Sequence, residues 1–231
     1  MSNSELLSET HTRDGGGRHI FNKEAQVFEK KLSSAIPEVL TQLKETYSDW
    51  DFEHHNTIYK KEWHKWGDQY PQDFGTYYEI NKPYFKPDGG IITATKNDKS
   101  YIIYVGEAKK QGTNDIRALE GKPKQSKGNA IERSYKNIQE VRMLMHMQGG
   151  GYLPYVLFCH GCDFEPGSSI LDRATALTWN SPFNRIYCEN VSGFERASVF
   201  VSPEGFTREE MVDISFEMCE RSLVWITSNI N

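Results

Sequence analysis

The sequence predicts an α/β fold in which a mixed central β-sheet is flanked by helices. Three observations carry this reading. Two β-branched and aromatic runs flank a short polar turn between Tyr84 and Ala108, helical apolar spacing occurs before and after them, and short buried-type strands lie between the later helices.

Taken in order, residues 1–18 contain Gly15, Gly16 and Gly17 among scattered polar residues and read as a flexible arm. From Asn22 to Tyr47, the positions Ala25, Phe28, Leu32, Ile36, Val39, Leu40 and Leu43 recur at helical spacing, with Pro37 predicting a kink or a break into two helices. Residues 50–82 are rich in aromatics but have no clear period. Tyr84 to Thr95 and Tyr101 to Ala108 are predicted strands of a hairpin turned by Lys96 to Lys99. A polar loop from Gly112 to Lys127 leads to a helix carried by Ile131, Tyr135, Ile138, Val141 and Met145, which stops at Gly149 to Gly151. Pro154 to Cys159 reads as a buried strand and the stretch up to Pro182 as loop. Ile186 to Cys188 and Ser198 to Val201 are strand-like, and Thr207 to Glu210 forms a capping box that opens a last helix.

The size, 231 residues with 37% hydrophobic and 26% charged, suits one packed domain, placed here at residues 19–231. No apolar run approaches the length of a membrane span, and the first residues lack the pattern of a secretory signal, so a cytoplasmic location is expected. The net charge of −5 argues against nucleic acid as a partner for the whole surface. Between Lys109 and Arg142, however, nine basic residues face four acidic ones, a local cationic stretch that suits a polyanion.

Several chemistries are disfavoured. Gly121-Lys122 is followed by Pro123, so there is no phosphate-binding P-loop, and no G-x-S-x-G elbow occurs. Cys159 and Cys162 have a CxxC spacing, but no second pair follows, and reduced thiols are expected. His54, His55 and His64 stand without supporting ligand spacing and are left unassigned.

The hairpin strands bring Asp88 toward Glu107 and Lys109. Glu107 and Lys109 are two residues apart on a strand and share a face, while Gly89 and Gly90 allow a bend that lets Asp88 approach. Two carboxylates beside an ammonium suit a divalent cation working on a phosphodiester; the same residues also fit two surface hairpin charges and a solvated lysine. Gly128 to Ser134 places Asn129, Ala130, Glu132 and Arg133 at a helix start. Asparagine and arginine pair with base edges and alanine offers a small apolar contact, although a capped, charged helix entry has the same composition.

Together these blocks resemble the EcoRI-type restriction endonucleases. Lys86 to Ile91, Glu107 to Gly112, Gly128 to Asn137 and Pro154 to Phe158 occur in that family's order and approximate spacing, and the resemblance spans residues 80–225. It implies a restriction-endonuclease-like (PD-ExK) core in which Asp88 and Glu107 bind Mg²⁺ and Lys109 assists the attacking water. It further implies that Asn129, Ala130, Glu132 and Arg133 read adenine and thymine from an extended segment leading into a helix. A homodimer on double-stranded DNA with a central AATT, cut to leave four-base 5′ overhangs, and a cognate DNA methyltransferase complete the expectation. One departure concerns the outer base pair, which the family reads with two arginines three residues apart. Arg173 resembles the second, while Ile170 stands in the place of the first, so a relaxed purine-AATT-pyrimidine site is expected beside strict GAATTC. The rivals are a non-cleaving DNA-binding protein of the same fold, to which a complete catalytic trio would be unnecessary, and a non-specific or structure-specific repair nuclease of the same metal chemistry, which would explain the trio but not the base-reading types from Asn129 to Arg133.

Overall fold

In the computed structural model the described residues are 16–59, 84–111, 129–161, 169–179, 182–188, 190–191 and 194–229, together with 62, 121, 123 and 164. Helix α1 (Gly16–Thr46) is followed by strands β1 (Asp51–His55), β2 (Ile58–Tyr59), β3 (Tyr84–Phe85), β4 (Gly90–Lys96) and β5 (Lys99–Lys110). Helix α2 (Asn129–Met147), strand β6 (Tyr155–His160) and helix α3 (Ser169–Leu177) come next. Strands β7 (Asn190–Val191), β8 (Phe194–Glu195) and β9 (Ser198–Ser202) and helix α4 (Arg208–Asn229) complete the order.

The main sheet has the order β1-β4-β5-β6-β9. Its β1, β4 and β5 pair antiparallel, whereas β5, β6 and β9 pair parallel, so the sheet is mixed as the sequence predicts. The long apolar run of β5 is buried from Tyr101 to Ala108, as expected of a central strand covered on both faces. The Tyr104 hydroxyl accepts from Ser215 of α4 at 3.0 Å, and Glu107, of opposite parity on the strand, meets α2. Helices α1 and α4 therefore cover one face and α2 the other.

The hairpin turn is tight. Lys96 pairs with Lys99, and Asn97 and Asp98 both take positive φ (52° and 62°), the geometry of a two-residue turn that matches strand twist. A bulge interrupts the β4–β5 ladder after Ile92. Side chains serve the backbone there: Ile102 N–H donates to Gln148 Oε1 (3.1 Å), Tyr152 donates to the Ile102 carbonyl (2.8 Å), and Ser222 donates to the Ile103 carbonyl (2.8 Å).

Several expectations are corrected. The strand expected from Tyr84 to Thr95 is interrupted at residues 86–89: β3 pairs with β2, and the hairpin strand β4 starts at Gly90. Helix α1 runs through Pro37 without breaking. A helical proline costs about 3 kcal/mol, less than the burial of Leu32, Ile36, Val39 and Leu43 at about 1.5–3 kcal/mol each returns. Strand β1 lies in the stretch without a clear period, and α3 lies in the expected loop. Residues 186–188 join no ladder; Tyr187 instead donates its N–H to the Ser198 hydroxyl at 2.8 Å. Helix α1 also takes in residues 16–18 of the expected arm, while residues 1–15 lie outside the described residues, as do 63–83, His64, most of 112–128 and Cys162. Cys159, Cys188 and Cys219 are buried free thiols. Among the described residues no helix is long and apolar enough to cross a membrane.

Candidate active site

Asp88 is presented by a turn. Gly90 N–H donates to the Pro87 carbonyl at 3.0 Å, and Gly90 takes φ +71°, where an added Cβ would lie 2.1 Å from His54 Nε2. Gly89 N–H then donates to the Gly106 carbonyl at 2.9 Å, which pins the turn against the strand carrying Glu107. His54 Nε2 sits 3.2 Å from the Gly89 carbonyl, and burial holds this imidazole below the usual histidine value. Unassigned in the sequence, His54 buttresses the turn.

The three residues expected to share a site do so. Lys109 Nζ lies 2.8 Å from Asp88 Oδ2 and 2.5 Å from Glu107 Oε1, and it also donates to the Ala108 carbonyl at 3.1 Å. Backbone donors interlock the acids: Asp88 N–H donates to Glu107 Oε2 (3.2 Å), and Ala108 N–H donates to Asp88 Oδ2 (3.1 Å). Asn137 of α2 donates from Nδ2 to Glu107 Oε1 at 2.9 Å.

Burial makes this cluster electrostatically tense. The Glu107 side chain is only 5% exposed, and burial pushes its carboxyl up to about 7; Lys109 opposes that rise and Asp88 adds to it. Burial also works against the Lys109 charge, yet Glu107 and Asp88 together hold the ammonium above the ordinary lysine value. Glu29 of α1 adds a third carboxyl. Its proton affinity is raised by burial and by Asp88 although Lys109 opposes, and it lines a cleft of about 370 Å³ with Lys30, Ser33, Asn56, Lys86 and Asp88.

Among the described residues no group of three or more His, Cys, Asp or Glu side chains forms a metal cluster. The donor set fits a hard, hydrated dication instead. Mg²⁺ keeps several waters and takes one or two carboxylates, the remainder of its shell coming from substrate phosphate. Asp88 and Glu107 are two such carboxylates, the first half-buried and the second buried, with one ammonium between them, and a further positive charge would relieve the excess.

The residues expected at the DNA are more scattered. Asn129 and Ala130 are the first residues of α2, so their backbone is helical rather than extended; their side chains lie outside the described residues. Glu132 and Arg133 are exposed in its first turns. Arg173 of α3 brings Nη1 to 3.8 Å from Glu132 Oε1, an exposed pair of little energetic weight that can open to a competing partner. Ile131, Ser134, Ile138 and Val141 bury the opposite side of α2. The sequence reading gave Glu29 and Asn137 no chemical role. Asn137 has a local signal, one turn beyond Arg133 on the same helix, whereas nothing local marks Glu29.

A family model described as restriction endonuclease EcoRI matches residues 14–169, a span that holds the trio and all of α2 but ends before Arg173. The type II restriction enzyme RsrI of Cereibacter sphaeroides is 28% identical, over 94% of this chain and 91% of its own length. The type II restriction enzyme EcoRI of Escherichia coli is also 28% identical, over 96% and 95%. Among solved structures, the pre-specific restriction endonuclease BsaWI in complex with DNA matches at a TM-score of 0.40 and 11% identity. That match covers 92% of this chain and 67% of the other, a likeness too distant to bear on the site. With more than half its length matched by the family model and the trio inside the match, the chain belongs to the EcoRI restriction endonuclease family.

Proposed function

We propose that this chain is a Mg²⁺-dependent type II restriction endonuclease that cleaves both strands of palindromic DNA with a central AATT, leaving 5′ AATT overhangs. The observation that carries the reading is the convergence of Asp88, Glu107 and Lys109, with Lys109 Nζ at 2.8 and 2.5 Å from the two acids. Asp88 and Glu107 hold the metal. Bound there, Mg²⁺ supplies Lewis-acid polarisation of the scissile phosphodiester. Lys109, kept protonated by its two neighbours, donates to the attacking water or to the phosphoryl oxygens as charge develops. The cleft beside Asp88 offers Lys30 and Lys86 to the adjoining backbone phosphate.

Asn129, Ala130, Glu132 and Arg133 read the central bases, with Arg133 directed to purine acceptors and Glu132 orienting it. Arg173 reads the outer pair. With Ile170 in place of a second arginine, the N7 acceptor shared by guanine and adenine favours purine-AATT-pyrimidine over strict GAATTC. Residues 19–231 act as one domain that pairs as a two-fold homodimer, since a palindrome mirrors the symmetry of its reader. A methyltransferase of the same specificity protects the host DNA.

The test is to incubate the purified protein with plasmid and random-site DNA in Mg²⁺ and to sequence the fragment ends. Ends confined to sites with a central AATT, carrying AATT overhangs, support the reading. Random ends would indicate a non-specific nuclease, uncut but retarded DNA a binder, and cutting confined to GAATTC would sink the relaxed outer pair.

A further inference from the structure

We propose that Asn137 is the positioning residue through which the seating of α2 on a cognate sequence sets the aim of Glu107, an inference that rests on the endonuclease reading of the trio. Among the described residues three bonds hold the Glu107 carboxylate. Two of them, from Asp88 N–H and Lys109, arise within the β4–β5 corner and carry no information about α2. The third, from Asn137 Nδ2 at 2.9 Å, is the one that crosses from the helix. An amide carries no net charge to neutralise the carboxylate, but its N–H is directional. It therefore constrains which way the Glu107 oxygens face.

The placement of Asn137 on its helix makes the link mechanical. Arg133 and Asn137 are four residues apart, one turn along the same face, so a base-reading side chain and a carboxylate-holding side chain stack on one rod. That rod is stiffened by its buried side, Ile131, Ser134, Ile138 and Val141. Hydrogen bonds weaken steeply once the distance passes about 3.2 Å or the angle falls below about 120°. A sub-ångström shift or small rotation of α2 on a wrong sequence is therefore enough to break this bond and leave Glu107 to its two partners in the β4–β5 corner, while correct seating keeps all three. Cleavage and metal affinity then depend on sequence without any base contact by the catalytic residues.

The link is tested with the full chain and two duplexes, one carrying the preferred site and one with a single central base pair exchanged. Ca²⁺ affinity of each protein–DNA complex is measured by calorimetry, and single-turnover cleavage is measured in Mg²⁺. Wild-type protein is expected to bind Ca²⁺ about tenfold more tightly on the preferred duplex than on the altered one. In Asn137→Ala that difference is expected to shrink to about twofold, with cleavage of the preferred duplex down roughly 10- to 100-fold and duplex affinity within about threefold of wild type. Asn137→Leu, of similar size but without the donor, is expected to lose the same coupling and serves should Asn137→Ala not fold. An equal loss of Ca²⁺ affinity on both duplexes, or full coupling in both variants, would overturn the role of Asn137 alone. Wild-type protein that cuts neither duplex and binds no Ca²⁺ would overturn the endonuclease reading and this inference with it.

Discussion

The backbone N–H of Asp88 donates to Oε2 of Glu107 at 3.2 Å, although 19 residues separate them. The reverse link runs from the N–H of Ala108, next to Glu107, to Oδ2 of Asp88 at 3.1 Å. Each acid is thus oriented by the main chain at or beside the other, so neither carboxylate turns without disturbing its partner. The main chain orders most of the site before a cation arrives, and the constraint that reaches Glu107 from α2 is the Asn137 bond.

Removing a member of the trio is expected to separate binding from cutting. Glu107→Ala and Lys109→Ala should retain the duplex in a gel-shift assay while single-turnover cleavage in Mg²⁺ falls by roughly 10³-fold or more. Binding can even tighten in Glu107→Ala, since one negative charge leaves the path of the phosphate. Wild-type cleavage by Glu107→Ala would show that the metal is held elsewhere.

A divalent cation should stabilise the fold, because Asp88 and Glu107 crowd negative charge into a largely buried corner. Thermal unfolding with Ca²⁺ at about 100 times its dissociation constant is expected to show about 2.7 kcal/mol of added stability. Asp88→Asn and Glu107→Gln should lose the response, and a gain of the same size in both variants would refute the assignment of ligands.

On the proposed reading, exposed residues of α2 divide between base edges and phosphate. Arg133→Ala is expected to lose about 1–3 kcal/mol of discrimination at a single base position, measured by competition among single-base variants of the site. Lys136→Ala, a loss of charge toward phosphate, should weaken all sequences alike and lower the slope of log affinity against log salt by about one. Uniform weakening by Arg133→Ala would make it a phosphate contact instead.

His160 gives the fold an acid-side weakness. Burial holds its imidazole below the usual 6.5; the Ser202 carbonyl opposes this, while Lys110 and Lys31 reinforce it. The native state thus takes up this proton less readily than the unfolded chain, so the contribution of His160 is intact above pH 6.5 and is lost as pH falls below it. Its ring lies 5.3 Å from that of Phe28, which ties the effect to the docking of α1. His160→Gln should flatten the fall in urea-unfolding stability below about pH 6.5; an unchanged slope would place the effect on other groups.

Where a feature of this protein depends on near neighbours in the chain, the sequence determined it. The capping box closes as its residue types require, Thr207 N–H donating to Glu210 Oε2 at 2.7 Å and Glu210 N–H to Thr207 Oγ1 at 3.1 Å. The stop at Gly149 to Gly151, the turn at Asn97 and Asp98, and the shared side of Glu107 and Lys109 follow likewise from local φ preferences and the strand period. The tertiary structure decided what depends on distant partners. Helix α1 crosses Pro37 because the sheet and α4 bury its other face, and β1 becomes a strand because β4 offers it an edge. Asn137 gains its place beside Glu107 across 30 residues, through a packing of helix on sheet that no periodicity announces. Spacing in the chain encodes rotation about an axis and alternation across a sheet. How far apart two such elements come to rest is set by the side chains that fill the space between them.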